Sequence, residues 1–329
     1  MKKIILHIGP HKTGSTYLQK KLLEASELLE SNGFLYPRDQ SLSQYAQHDL
    51  ALPKNFGDFR SLIEKFTALP DHIHTLLISS ENFDRLKQVE VLELSKLIKI
   101  PIEVVFFHRQ ASKLLYSSWQ EEVKSGSGKS MELFLLEEFF TPFQSEILNQ
   151  SLVLDRWVAA FGLEFIKVFD YDLLMGRKLD IVDAFVTKIL SESLPSIADG
   201  ERINGSFSVA FTELLRAYNM RFEPRRNNFG YRVRDALIGL QKSDSRVALL
   251  ENLVKEDIKP VELKNSTLMV RCREQFLKHY ESNFVTEVMS SSQDLQVQIS
   301  QGKWIFNPKA IELFDGVGNA IAEKIGLKQ

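Results

Sequence analysis

The chain has 329 residues, enough for one large α/β domain or a core with an added subdomain. Its 44% hydrophobic and 26% charged residues are ordinary for a globular protein, and a formal net charge of −2 provides no global basic field for nucleic acid or an anionic membrane. The single cysteine, Cys272, excludes an intrachain disulfide and a cysteine-rich zinc site.

The first twenty residues carry the strongest signal. Ile4 to Ile8 form an apolar run that reads as a buried strand, and the loop after it holds Gly9 and Gly14. Tyr17 to Leu29 then place apolar residues at helical spacing. A strand feeding a glycine-containing turn and then a helix is a way to hold phosphate, because loop amides and the helix N-terminus point at the anion. The apolar run is too short for a signal peptide, and it meets Pro10-His11-Lys12 with no small-residue cleavage site. No stretch approaches membrane-spanning length, so the expectation is a cytoplasmic protein in a reducing compartment.

Three further strands are expected at Thr75 to Ser79, Ile102 to Phe107 and Phe165 to Phe169. Helical patterns follow them at Val89 to Ile98, Ser112 to Val123 and Asp180 to Leu190, with two more at Met131 to Phe140 and Ser145 to Phe161. Alternating strands and helices predict an α/β fold, a parallel sheet with helices on both faces. Ligands in such sheets bind at the C-terminal strand ends, which brings Gly9 to Thr16, Ser80-Glu81 and His108-Arg109 to one edge. From about Ser196 the patterns at Phe211 to Tyr218, Arg246 to Leu253 and Arg271 to Asn283 are helical, with no convincing strand. The expected division is therefore a core over residues 1–195 and a mostly helical part over residues 196–329.

The nucleotide-triphosphate loop reads G-x-x-x-x-G-K-[ST]. Gly9, Gly14 and Thr16 keep its spacing, but Ser15 takes the lysine position and the lysine has moved into the loop as Lys12. That shift points to a phosphate-type ligand other than Mg-ATP. A second signature begins where Val104 to Phe107 ends in His108-Arg109, with Ser117 eight residues beyond the arginine on the following helix. A guanidinium fork at a strand end and a hydroxyl on the next helix can aim at one anion.

Together, Lys12-Thr13-Gly14-Ser15-Thr16 and the Arg109/Ser117 pair resemble the sulfotransferases that use 3′-phosphoadenosine 5′-phosphosulfate (PAPS). The wording Gly-Pro-His-Lys-Thr-Gly-Ser-Thr-Tyr-Leu-Gln is most similar to bacterial members, and Arg202 to Ser208 resembles a segment that follows the core in those relatives. The Arg-Lys-Gly that many members carry near the end is not found. The resemblance implies a P-loop NTPase-like three-layer sandwich. It implies that Lys12, Thr13, Gly14, Ser15 and Thr16 hold the 5′-phosphosulfate, and that Arg109 and Ser117 hold the 3′-phosphate; His11, inside the loop, is a further candidate that either binds the ligand or shapes the loop. It further implies a small-molecule or carbohydrate acceptor, 3′,5′-bisphosphoadenosine (PAP) as product, no metal and no nucleic-acid partner. In that setting Lys12 stabilises the departing phosphate oxygen. For the base, Glu81 is the first candidate, with burial expected to raise its pKa, and His48 is the second.

Each residue also has a plainer account. Arg109 can be a strand-end surface charge, Ser117 a helix serine bonded to its own backbone, and Glu81 a helix N-terminal charge. Trp119 and Trp157 read as core. Arg221, Arg225, Arg226, Arg232 and Arg234, interleaved with Phe222, Phe229 and Tyr231, read as a solvated face or as a cover over an anionic ligand. A P-loop kinase and a non-catalytic nucleotide-binding module are the rival functions. The first needs a lysine after Gly14 and a Mg-binding carboxylate.

Overall fold

The computed structural model describes residues 1–38, 45–199, 207–226, 231–264, 267–289 and 294–327. The Arg202 to Ser206 fragment and Phe229 lie outside the described residues. The chain divides into two compact units that interleave along the sequence. The first is Met1–Ala111, Phe143–Asn204 and Thr267–Ser292, and the second is Ser112–Pro142, Gly205–Ser266 and Gln293–Gln329. These bounds differ from the single division expected near residue 195: segment 112–142 falls in the second unit and segment 267–292 in the first.

The first unit is built on a five-stranded, all-parallel sheet of β1 (Lys3–His7), β2 (Phe34–Leu35), β3 (Thr75–Ser79), β4 (Ile102–His108) and β5 (Ile166–Asp170), in the order β2-β3-β1-β4-β5. The inner strands are continuous apolar runs because both of their faces are covered. Alternate residues serve opposite layers. Ile4, Leu6, Ile78, Val104 and Phe106 pack with residues of the helices Phe56–Ala68, Gln88–Leu97, Ser151–Phe161 and Thr267–Tyr280. Ile5, Leu77, Val105 and Phe107 pack with residues of Ser15–Glu24, Ser26–Ser31 and Ile181–Phe185. This is the expected α/β arrangement of three layers. Its central strand, β1, is where the strand order changes direction, so the loops after β1, β3 and β4 open at the place where such sheets bind ligands.

Trp157 lies fully inside this core. The helix expected over Tyr17 to Leu29 is two, broken at Ala25, where the Ser26 hydroxyl donates to the Leu23 carbonyl at 2.6 Å. The helix expected from Ser145 starts at Ser151, and the one expected over Asp180 to Leu190 changes to a π-turn at Val186–Leu190.

The second unit is mostly helical, with Met131–Phe140, Val209–Phe222, Arg232–Ser243, Ser245–Asp257 and Pro308–Ile325. Contrary to the expectation of no strand beyond residue 196, β6 (Ile258–Leu263) and β7 (Leu295–Ser300) pair antiparallel. Leu-Gln-Val-Gln-Ile-Ser is a period-two strand pattern, and Pro260 is tolerated because both strands of a two-stranded sheet are edges. Trp119 is buried here, its indole N–H donating to the Lys129 carbonyl at 3.0 Å. Among the described residues, no helix is long and apolar enough to cross a membrane.

Candidate active site

The loop after β1 is shaped by two glycines with left-handed backbone. Gly9 has φ 105°, and a Cβ there would stand 3.3 Å from the Cα of Glu81. Gly14 has φ 79°, and a Cβ there would stand 2.5 Å from Ile181 Cδ1. Lys12 adopts φ 69° without being glycine, a strain of about 1–2 kcal/mol that functional loops commonly carry. The Thr13 hydroxyl donates across the loop to the Pro10 carbonyl at 2.7 Å, so it shapes the loop where a ligand-facing hydroxyl was expected.

Gly14 is the N-cap of Ser15–Glu24 and offers no side-chain cap to the first-turn amides of Ser15 and Thr16, while the Tyr17 amide donates to the Gly14 carbonyl at 3.0 Å. Thr16 follows in the first turn. The Ser15 hydroxyl, on a residue only 5% exposed, has no hydrogen-bond partner. A buried hydroxyl without a partner at an uncapped helix N-terminus, in a loop that brings a lysine, suits an anion.

Beyond β3, the Ser80 hydroxyl accepts from the Asn82 amide at 3.2 Å and starts the short turn Glu81–Arg85. Glu81 is the meeting point of three elements. Gln19 Nε2 donates to Glu81 Oε2 at 2.7 Å, His48 Nδ1 lies 4.0 Å from the same oxygen, and His11 Nδ1 lies 3.9 Å from Oε1. His48 Nδ1 is also 2.8 Å from Ser80 Oγ. Burial pushes the Glu81 carboxyl up, but the Gln19 hydrogen bond and the charge that His48 and His11 can carry outweigh it, so its pKa ends below the ordinary value. The expected rise is therefore reversed, and Glu81 is an anion at neutral pH. His7, beneath the loop, hydrogen-bonds Ser79 Oγ at 2.8 Å and is held neutral, burial taking its pKa down to about 4 against the pull of Glu81.

One turn beyond Glu81 stands Asp84, which the sequence reading did not single out. The His11 amide donates to Asp84 Oδ2 at 3.3 Å, and His11 Nε2 lies 3.9 Å from Oδ1. Burial pushes this carboxyl up to about 8, against the His11 amide and Arg85, so Asp84 is a neutral acid at pH 7. Two carboxyls whose surroundings push their pKa values apart are the usual setting of acid–base work.

After β4, the Arg109 guanidinium donates to the Lys12 carbonyl and lies 5.3 Å over the Tyr171 ring. Gln150 clamps the Arg109 main chain, its Oε1 accepting the Arg109 amide at 3.2 Å and its Nε2 donating to the Arg109 carbonyl at 2.5 Å. Gln19, Gln47 and Gln150, all buried, each fix one strand end of the site. Gln47 does so by accepting the Ser79 amide at 2.8 Å. A lone glutamine carries no sequence signal for such a role. His108 faces the other layer, its ring tilted against that of Phe276 at 4.5 Å, and burial followed by Arg273 takes its pKa to about 3.

At the C-terminal ends of β1, β3 and β4, His11 and His48 thus stand beside Glu81, and the Arg109 guanidinium meets the Lys12 carbonyl. Ser117 belongs to the second unit, where its hydroxyl bonds the Lys113 and Leu114 carbonyls at 3.0 and 3.1 Å, as in the plainer account. In that unit the arginine run is largely tied down. Arg221 pairs with Asp315 at 2.7 Å, Arg225 donates to the Ser125 and Glu122 carbonyls, Arg232 donates to the Ile325 carbonyl, and Arg234 stacks on Tyr231.

No protein-family model matches the chain, and no curated protein matches it.

Proposed function

We propose that the chain is a cytoplasmic sulfotransferase that moves a sulfuryl group from PAPS to a hydroxyl of a small-molecule or carbohydrate acceptor. The observation that carries this is the buried, unpartnered Ser15 hydroxyl at the uncapped start of Ser15–Glu24, in a loop that places its lysine at position 12. An ordinary Mg-ATP loop has its lysine where Ser15 stands. The acceptor oxygen forms a bond to sulfur as the bond from sulfur to the bridging phosphate oxygen breaks. The electron pair stays on that oxygen, and PAP leaves. Lys12 and the first-turn amides stabilise the charge that develops there. Glu81, an anion next to the loop, accepts the acceptor proton, and His48 and His11 stand beside it to share the charge. The Arg109 guanidinium supplies the fork for the 3′-phosphate.

Calorimetric titration with PAP, ADP and ATP, with and without Mg²⁺, tests the donor. Tight binding of PAP without metal, and at least tenfold weaker binding of ADP, is expected on the order of one charge-assisted contact. Mg-dependent binding of ATP in preference to PAP would point to a phosphotransferase. PAP binding with no transfer to a broad acceptor panel would point to a non-catalytic module.

A further inference from the structure

We propose that Asp84 is a positioning residue for the anion loop: as a neutral acid it anchors the His11 amide without setting a negative charge beside the bound anion. A loop that must receive an anion is poorly served by a carboxylate anchor, yet here a carboxyl is the anchor. The His11 amide donates to Asp84 Oδ2 at 3.3 Å, while Asp84 Oδ1 is buried and accepts no hydrogen bond. A protonated carboxyl eases the conflict, because one oxygen still accepts the amide and no unpaired negative charge is buried.

The charged groups that face Asp84 fit this. His11 stands on the loop side, with Nε2 3.9 Å from Oδ1. Glu81 and Arg85 lie on its own turn, and Glu146 and Arg156 come from the segment packed against that turn. Arg156 is committed elsewhere, donating to Glu146 Oε1 at 2.6 Å and to the Asp84 main-chain carbonyl at 2.7 Å. Burial, with Glu146 and Glu81 adding to it, outweighs the His11 amide and Arg85 and takes the carboxyl up to about 8. Raising the pH through that value places a second carboxylate next to Glu81 and beside the loop, and anion affinity falls.

This rests on the loop as an anion site, one part of the proposed function, and two probes separate it from the donor. PAP and inorganic sulfate are titrated calorimetrically from about pH 7 to about pH 9.5, above the second phosphate ionisation near 6, so neither probe changes charge. In the wild type, affinity for both falls on the order of tenfold as the pH crosses the Asp84 ionisation. Asp84→Asn keeps an acceptor for the His11 amide, never ionises, and holds its neutral-pH affinity across the range. Asp84→Ala, which loses the anchor, binds weakly at every pH. A wild-type affinity that is flat with pH, or one that falls in parallel with that of Asp84→Asn, overturns the proposal. Should Asp84→Asn fail to fold, Asp84→Ala takes its place, because its weaker affinity must likewise stay flat with pH. Sulfate binding with the expected pH dependence but without preference for PAP refutes the donor and leaves the role of Asp84 standing. No binding of either probe overturns both.

Discussion

Replacing Asp84 with asparagine should stabilise the fold by an amount that grows with pH. In the unfolded chain the carboxyl titrates at its ordinary 3.8, and in the folded protein burial holds it at about 8. The folded state therefore keeps a proton that the unfolded state has released, and stability falls as the pH rises between those values. At about 1.36 kcal/mol per pH unit, Asp84 removes about 4 kcal/mol by pH 7 relative to acid conditions, and about 6 kcal/mol once the pH exceeds about 8. Asparagine is neutral throughout and retains an oxygen for the His11 amide, so it escapes the loss. Urea unfolding of the two proteins at intervals from about pH 4 to about pH 9 measures the difference directly. It should be near zero at the acid end, rise through neutrality, and level off above about pH 8. A constant offset, or a difference that shrinks with rising pH, would refute the neutral-acid assignment.

Lys12→Ala should abolish sulfuryl transfer, by roughly two to three orders of magnitude in turnover, with an unchanged melting temperature. Full retained turnover in a folded variant would remove Lys12 from the chemistry. Arg109→Ala should weaken PAP binding on the order of tenfold to a hundredfold and AMP binding much less, as calorimetry can read. Equal losses would mean that its guanidinium serves the loop through the Lys12 carbonyl and not a 3′-phosphate. Gln19→Ala removes the donor to Glu81 Oε2, so the carboxyl pKa rises and the acid limb of the rate profile moves to higher pH. An unmoved acid limb would mean that another group, His48 first, is the base.

The sheet was legible because its inner strands are covered on both faces, and Ile4 to Leu6, Leu76 to Ile78 and Val104 to Phe107 are apolar at every position. What escaped has identifiable reasons. β2 is two residues long and has no pattern to read. The helix Phe56–Ala68 has one, with Phe56, Phe59, Ile63 and Phe66 all buried on a single stripe. The interleaving of the units was not legible, because it is made by pairings of distant segments: Val168 bridges Phe284, and the Met289 amide donates to Asp170 Oδ2 at 2.9 Å. Local periodicity says that a face must be buried but not which segment will cover it.

The site divides along the same line. The placement of Lys12, Glu81 and Arg109 was legible because each follows a recognisable strand, and topology alone sends those strand ends to one edge. Their protonation states were not. Glu81 and Asp84 are both acidic, three residues apart on one short turn, and His11 lies 3.9 Å from each. What separates them is the surroundings. Gln19 reaches Glu81 from another helix and, together with the charge of His48 and His11, outweighs its burial, while Asp84 receives the His11 amide and burial keeps its pKa up. The sequence offers two equivalent acids, and only the packing around them pushes one pKa down and the other up. The difference between Gln19→Ala, which should act on the rate profile, and Asp84→Asn, which should act on affinity and stability, is therefore the sharpest measure of how far the fold, beyond the motif, sets the chemistry.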